Sequence, residues 1–530
     1  MNLDSFFLKF NYAKKKEFKY FQSYIKKKSD KDINIVLHHL HIILNKVHKT
    51  ELTKKQWSII LGPWLSALNN IYEHKKILLK KNKFIYNFYF LKKNKKNIIP
   101  KDITEFVENY NSLIFNQNIF NFLIHKKVNN FFSSNNLPQA KLAYIGLARI
   151  LIAKFFIKLF YKKFTIIVDS PLSFFNKMKL FNLKKVFLEL PFFKKNLKIF
   201  FFPYSNLRFL YLYKNIDYSL RKSSLKIIET KNYNDKNLKQ KLLFFFSIIP
   251  SSYLENFDKI KFYSKIFYLG KNFYCRVSNL DNEFFKIFIA FNKSNLYLDQ
   301  HGGNFSFNNK KLHMQHDFNI SKKIFFWDKI NNNKFKSTFN SLNLILKNSL
   351  NINHKIIYDA CYVLSFSKKY DFQSQFFENY DHDYKIKQLK IFFENFNRTK
   401  DSIIKIAPKR YQFQSNYQEY SFLKKNYPTV VEDRENLFKS KILIFESFST
   451  AIFETRFSNI PFVIITNISN HFLSAEGRKI IQILKSQGLF FSNALSAAKA
   501  LNKINDYKIW WASKDKILNN IFYNMPNKVL

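Results

Sequence analysis

Apolar positions in this chain recur in two distinct rhythms. Between residues 30 and 80, Ile35, Leu37, Leu40, Ile43, Leu44 and Val47 follow helical spacing and leave His41, Asn45 and His48 on a neighbouring stripe. Thr53-Lys54-Lys55-Gln56 has the form of a capping box, which predicts a second helix through Trp57, Ile60 and Leu61. Within it, Gly62-Pro63 stands between Trp57 and Trp64, a pair that breaks or kinks a helix and predicts a bend fixed by aromatic packing. A further apolar helix over residues 141–160 carries Arg149, Lys154 and Lys158, and suits a membrane interface or a buried site about equally.

Elsewhere the pattern changes to short continuous apolar runs bounded by turn residues. These predict strands at 164–168, 185–190, 265–269, 295–298, 355–364, 403–406, 441–445 and 462–465. Helices are expected over 281–291 and 451–458, the second ended by Asn459-Ile460-Pro461. Lysine- and asparagine-rich stretches at 92–97 and 231–241 read as loops, the second separating two domains. Strand–helix–strand units of this length indicate parallel sheets covered by helices. The expected architecture is α/β: a Rossmann-like domain over 1–240, helical at its start, and another over 241–530.

Composition changes the picture in two ways. Lys+Arg minus Asp+Glu is 88 − 37 = +51, which at face value suggests a nucleic-acid binder. Lysine supplies nearly all of that charge, however, and Asn, Ile, Phe and Tyr are abundant while Gly, Ala, Pro and Arg are scarce. A/T-rich codons would produce this skew, so the charge is mostly solvated surface rather than a basic stripe. It still attracts phosphate-bearing ligands, and leaves room for peripheral contact with an anionic membrane. The skew also means that a surviving Gly, Trp, Pro or Arg points to a structural or chemical need. Cys275 and Cys361 allow at most one disulfide and fit a reducing cytosol. No signal peptide or spanning run of about 18 apolar residues is visible, so a cytoplasmic protein is expected.

Only seven glycines occur in 530 residues, and two of them adjoin in Gln300-His301-Gly302-Gly303-Asn304 at the exit of the 295–298 strand. Glycine there lets backbone N–H groups form an anion nest, and a histidine beside it can exchange protons near neutral pH. In open parallel sheets ligands sit beyond the carboxyl ends of strands. The exit of the 441–445 strand, Glu446-Ser447-Phe448-Ser449-Thr450, would lie on such an edge. Ser449 and Thr450 would offer a helix N-terminus to phosphate, though N-capping alone explains them too. Glu454, one turn further, would reach a ligand's sugar hydroxyls, and the rare Arg410 would clamp a phosphate. Together these describe a nucleotide-diphosphate cradle with His301 as general base.

Several of these segments, in order, resemble a family of bacterial transferases encoded in gene clusters for O-antigen and other surface polysaccharides. The pieces are Leu44-Asn45 and His48, Trp57 to Leu65 ending in Leu-Gly-Pro-Trp-Leu, Ile249 to Glu255, Gln300 to Phe305, and His316-Asp317 through Trp327. Arg410-Tyr411, Ser449-Thr450, Glu454, Asn459-Ile460-Pro461 and the closing Trp510-Trp511 follow. The chain departs from the family pattern at Phe305 to Phe307, at Asp317, where Glu is usual, and in residues 1–30, where no strand with a Trp/Cys turn is found.

The resemblance implies a two-Rossmann-domain (GT-B) glycosyltransferase, its domains facing across a cleft and its donor held mainly by the C-terminal one. It further implies a nucleotide-sugar donor, a glycan or lipid-linked acceptor, and no bound cofactor or obligatory metal. On this reading Gly302, Gly303, Asn304, Arg410, Ser449 and Thr450 bind the donor, His301 and Glu454 serve catalysis, and His48, Trp64 and Glu255 lie on the acceptor or interdomain side. A CDP-alditol phosphotransferase of the same fold is the nearest alternative. A non-catalytic nucleic-acid binder is the alternative from another class, and the even spread of lysine argues against it.

Overall fold

The computed structural model describes residues 23–24, 27–81, 99–109, 113–125, 165–169, 198–201, 216–266, 272–275, 278–300, 312–325, 356, 358–364, 382–396, 404–407, 425–426, 439–448, 450–457, 459–468, 471, 473–514 and 516–518. They fall into two compact units, one within 1–299 and 312–324, the other within 300–311 and 325–530.

The first unit opens with helices α1 (Ser29–His48), α2 (Lys54–Lys81), α3 (Ile103–Asn109) and α4 (Leu113–His125). Strands β1 (Thr165–Asp169) and β2 (Lys198–Phe201) precede α5 (Tyr218–Thr230), α6 (Lys236–Ser247) and α7 (Phe257–Ile266). Then come β3 (Asn272–Cys275), α8 (Ser278–Asp281), α9 (Glu283–Asn292), β4 (Asn295–Asp299), α10 (Leu312–Ile320) and β5 (Lys323–Phe325). The capping box forms as its sequence predicts: Thr53 N–H donates to Gln56 Oε1 at 2.9 Å, and Gln56 N–H returns to Thr53 Oγ1 at 3.3 Å. The α1 face differs by one position, with Val36 buried and Ile35 exposed. Helix α2 runs unbroken through Pro63, with Trp57 and Trp64 both buried, so the Gly-Pro pair does not end it.

The second unit carries β6 (Tyr358–Val363), α11 (His382–Asn395), β7 (Ile404–Ala407), β8 (Ser440–Phe445) and α12 (Thr450–Phe457). It continues with β9 (Phe462–Ile465), α13 (Ala475–Ser486), β10 (Phe490–Phe491), α14 (Ala494–Leu501) and α15 (Tyr507–Ala512). Its central strands are apolar over Ala360–Val363, Ile442–Phe445 and Phe462–Ile465 because both faces are covered there. Cys361, Leu443, Phe445 and Ile464 pack with Ile452 of α12 and Leu484 of α13. Tyr362, Ile442, Ile444 and Val463 pack on the other face with Phe392 of α11 and Ala497 of α14.

Among the described residues each unit builds a five-stranded sheet, in the orders β2-β1-β3-β4-β5 and β7-β6-β8-β9-β10. The pairs β1–β2, β1–β3, β3–β4, β6–β7, β6–β8, β8–β9 and β9–β10 are all parallel. In both, the chain lays down a strand, steps outward to an edge, and returns on the other side. This is the doubly wound order 2-1-3-4-5, and it bears out the expected α/β class with parallel sheets.

Three expectations need correction. The 240/241 boundary gives way because β3 pairs with β1 and β4 with β3, carrying the first unit to Asp299. The 231–241 stretch is no interdomain loop: residues 231–235 link α5 to α6, and Asp235 caps α6 by accepting from Asn237 N–H at 2.7 Å. Lys265 and Ile266 close helix α7 rather than opening a strand, because Phe257, Ile260 and Ser264 bury one helical face. The predicted elements at 92–97, 141–160 and 185–190 lie outside the described residues. Among the described residues no helix is long and apolar enough to cross a membrane.

Candidate functional site

A doubly wound sheet opens a crevice beyond the carboxyl ends of the two strands between which the chain reverses direction. In the second unit those strands are β6 and β8, paired from Tyr358↔Ser440 to Val363↔Phe445. The crevice therefore adjoins Leu364 on one side and Glu446, Ser447 and Phe448 on the other. Glu446 N–H extends the ladder by one bond, to Val363 carbonyl at 3.3 Å. Glu446, Ser447 and Phe448 are all buried. Phe448 stacks on Phe490 of β10 with ring centroids 6.2 Å apart, and meets His471 edge-on at 5.4 Å. His471 is held in turn by Thr466, Nε2 to Oγ1 2.8 Å, at the exit of β9.

The Glu446 carboxylate is hydrogen-bonded by the Tyr362 hydroxyl. Burial, then the adjacent Glu446 charge, pushes the Tyr362 phenol well up, so it stays a protonated donor. Lys385, in the first turn of α11, brings Nζ to 4.0 Å from Glu446 Oε2. Helix α12 starts at Thr450, its N-terminus facing the same carboxyl edge because it follows β8. It closes at Asn459, whose φ of 52° is the left-handed conformation that ends helices. Asn459 Oδ1 accepts from Trp511 Nε1 at 3.0 Å, which ties the Asn-Ile-Pro turn to the closing tryptophan pair.

Of the sequence-predicted donor residues, Thr450 is the first residue of α12 and Glu454 lies one turn along it. Ser449, Arg410 and the turn His301, Gly302, Gly303, Asn304 lie outside the described residues, as do the side chains of Thr450 and Glu454. Sequence reasoning missed Tyr362 and Lys385. No local pattern flags them, since β6 and α11 meet Glu446 only through the fold.

The acceptor-side candidates converge in the first unit. His48, Trp64 and Glu255 are all buried and all meet the segment Ile249 to Glu255. His48 Nε2 lies 3.0 Å from Tyr253 carbonyl, and its ring packs on Phe257 with centroids 4.3 Å apart. Trp64 meets Tyr253 edge-on at 6.0 Å; its Nε1–H is buried with no hydrogen-bond partner among the described residues. Glu255 receives Arg221 in a fork, Nε to Oε1 2.6 Å and Nη2 to Oε2 2.8 Å. Arg221 also donates to the carbonyls of Ile249 and Ser247, at 3.0 and 3.4 Å. Sequence reasoning passed over Arg221, although its rarity as one of few arginines was the available signal.

Beneath this segment lies a second buried network. Tyr253 hydroxyl donates to Glu283 Oε1 at 3.0 Å and accepts from Lys286 Nζ at 2.8 Å, while Lys286 pairs with Glu283 Oε2 at 2.7 Å. Glu283 Oε1 also accepts from Ile103 N–H at 2.8 Å. Burial raises the Glu283 carboxyl above its ordinary range, and Lys286 opposes that rise. Nearby, a Cβ on Gly62 would collide with the His316 imidazole, coming 2.8 Å from Cε1, so glycine there permits close packing of α2 and α10. The Leu-Gly-Pro-Trp-Leu, Ile-Pro-Ser-Ser-Tyr-Leu-Glu and His316-Asp317 segments thus form one packed framework.

No curated protein matches the sequence. Among solved structures, the spinosyn rhamnosyltransferase SpnG complexed with thymidine diphosphate is 8% identical, with 68% of this chain and 97% of that chain covered and a TM-score of 0.30. The same enzyme complexed with spinosyn aglycone is 9% identical at the same coverage and TM-score of 0.30. The model of the LIC12162 family transferases matches residues 2–517, nearly the whole chain. The chain belongs to the LIC12162 family of transferases.

Proposed function

We propose that this transferase is a glycosyltransferase that moves a sugar from a nucleotide-sugar donor to a glycan or lipid-linked acceptor. One observation carries this reading: the reversal point of the second sheet opens onto Glu446–Phe448 and the N-terminus of α12. That edge offers backbone N–H groups and the positive end of a helix dipole where a diphosphate would sit. Family membership supplies the transferase class.

In the proposed reaction, His301 takes the proton of the acceptor hydroxyl, whose oxygen attacks the donor's anomeric carbon. The bond from that carbon to the diphosphate oxygen breaks, and the nucleoside diphosphate leaves with the bonding pair. Gly302, Gly303 and Asn304 shape the loop beside the donor, Arg410, Ser449 and Thr450 take the diphosphate, and Glu454 contacts the sugar or ribose. These groups and the α12 dipole neutralise the leaving group without a metal. The first unit, organised around Ile249–Glu255, serves the acceptor side. The proposed setting is surface-polysaccharide assembly at the cytoplasmic face of the membrane.

The test is thermal stability of wild type, His301→Ala and Arg410→Ala with UDP, GDP, CDP and dTDP sugars. The expected result is a shift for one nucleotide that Arg410→Ala abolishes and His301→Ala keeps, while turnover is lost in both. No shift with any nucleotide, alongside stabilisation by RNA or DNA, overturns the proposal.

A further inference from the structure

Helix α1 has two faces of opposite character. Val36, Leu40, Ile43 and Leu44 are buried on one of them. On the other, Lys31, Ile35, His38, Ile42, Lys46 and, just past the helix end, Lys49 recur every three or four residues. They form one stripe, and all six are exposed. Ile35 is 38% and Ile42 41% exposed. A single exposed isoleucine is ordinary, but two on one stripe with lysine at both ends make a pattern. Among the described residues none of the three lysines is in an ion pair. The acids of α1, Asp30 and Asp32, lie in its first turn, where Asp32 accepts from the Tyr24 hydroxyl at 2.8 Å; Glu51 follows beyond Lys49.

The middle of the stripe carries a second feature. His38 meets His39 and His41 with ring centroids 5.3 Å apart in each case, and His39 meets Tyr233, from the link between α5 and α6, also at 5.3 Å. His39 Nδ1, His41 Nδ1 and the Tyr233 hydroxyl are buried without a hydrogen-bond partner among the described residues. Burial, then His41, Lys54 of α2 and Lys231 of the α5–α6 link, holds His38 below its ordinary range. Burial, then Lys231 and the two neighbouring imidazoles, does the same to His39. No carboxylate is among the groups acting on either ring, so an anion from outside is what would favour their charged forms.

We propose that this face of α1 docks the protein onto a bilayer rich in anionic phospholipid, its isoleucines entering the headgroup boundary and its lysines and protonated histidines meeting the phosphates. Charge complementarity selects this occupant, and lysine stems can lie along the apolar boundary while their heads stay with the phosphates. Isoleucine has no ring on which a base could stack, so a single-stranded nucleic acid fits the stripe less well. The inference goes beyond the transferase reading and stands on this face alone; it would bring the first unit, the proposed acceptor side, to the surface that holds a lipid-linked acceptor. Because the anionic surface favours the charged imidazoles, binding takes up protons and strengthens as pH falls.

The test is co-sedimentation of the full chain with vesicles of phosphatidylcholine alone or with added phosphatidylglycerol, at pH 7.5 and 6.0. Wild type should bind only the anionic vesicles, and severalfold more tightly at the lower pH. Each lysine near such a surface strengthens attachment by about fivefold, so Lys31→Glu/Lys46→Glu/Lys49→Glu should weaken binding by about a hundredfold or more. Ile35→Asn/Ile42→Asn should weaken it severalfold, and His38→Gln/His41→Gln should remove the dependence on pH. The control is Lys479→Glu/Lys499→Glu/Lys503→Glu, an equal change of charge at exposed positions of the second unit, which should keep most of the binding. An equal loss in the control would show that net charge, not this face, holds the vesicle, and overturns the proposal. No binding by wild type overturns it too, as does tighter binding to single-stranded RNA that the α1 reversal abolishes. Binding that ignores pH overturns the role given to the histidines. Vesicle binding is read without turnover, so failure here leaves the transferase reading standing.

Discussion

Arg221–Glu255 in the first unit and Lys385–Glu446 in the second pair a cation with a carboxylate, and they differ in how closely the two charges meet. Arg221 is saturated: two bonds to Glu255, two more to backbone carbonyls, and no exposed surface on either side chain. Lys385 reaches its partner only at 4.0 Å and stays partly open. A saturated buried pair of this kind fixes a segment of backbone, and the wider pair binds its two side chains to one another less closely. The contrast should be plainest in stability. Arg221→Met leaves Glu255 buried without its counter-charge, which should cost ~3–5 kcal/mol. Lys385→Met should cost less, ~1–2 kcal/mol, because the Tyr362 hydroxyl still donates to the Glu446 carboxylate. Urea unfolding of the two variants checks this, and equal losses would erase the distinction between framework and site.

The Glu283–Lys286 pair sharpens the same point through pH. Because burial raises the folded-state carboxyl of Glu283, its contribution is fully present below the unfolded value of 4.5 and is lost as pH rises through the folded one. Lys286 limits that loss. Lys286→Met should therefore destabilise by ~3 kcal/mol or more at neutral pH, for want of the counter-charge. The deficit should shrink on acidification toward pH 4.5, where the carboxyl protonates. Glu283→Gln/Lys286→Met should recover most of the stability, because Gln still accepts from Ile103 N–H and Tyr253 without carrying charge. Unfolding at neutral and acid pH decides it: a deficit independent of pH would show that packing, not charge, carries the pair.

A smaller effect is expected where the framework depends on shape alone. Gly62→Ala places a methyl group against the His316 ring and should cost ~1–3 kcal/mol by overpacking. His316→Ala in the same chain should restore part of that loss, which thermal melting of the single and double variants would show. Failure of the double variant to recover would mean that the α2–α10 contact is not what Gly62 serves.

What the sequence could reveal follows from which contacts are local. Ile442 to Phe445 and Phe462 to Ile465 were legible because a strand buried on both faces must be continuously apolar. The capping box was legible because both of its partners lie within four residues. Lysine enrichment misled at 231–241, where the exposed start of α6 has the composition of a loop. Lys265 and Ile266 misled because a short apolar stretch fits the end of a helix as well as a strand. Strand order is a long-range property, so the reversal between β6 and β8 was invisible, and with it Tyr362 and Lys385. Glu446 was noticed only as a strand exit. The convergence of His48, Trp64 and Glu255 on Tyr253 and its neighbours likewise needed coordinates, although the motifs containing them were identifiable.

The least effect should come from features that the two units share. Thr53 at the start of α2 accepts from Gln56 N–H, and Asn493 at the start of α14 accepts from Ser496 N–H at 2.9 Å. Both caps are exposed and local, so Thr53→Ala and Asn493→Ala should each cost ~1 kcal/mol. Peptide-resolved hydrogen exchange would locate each loss in its own helix. Matching costs would show that helix ends are equally firm in both units, leaving the wider separation of Lys385 and Glu446 as a property of that pair. A far smaller cost at Asn493 would instead mean that the second unit is held less firmly at its helix ends, and the 4.0 Å separation of Lys385 from Glu446 would belong to that same looseness.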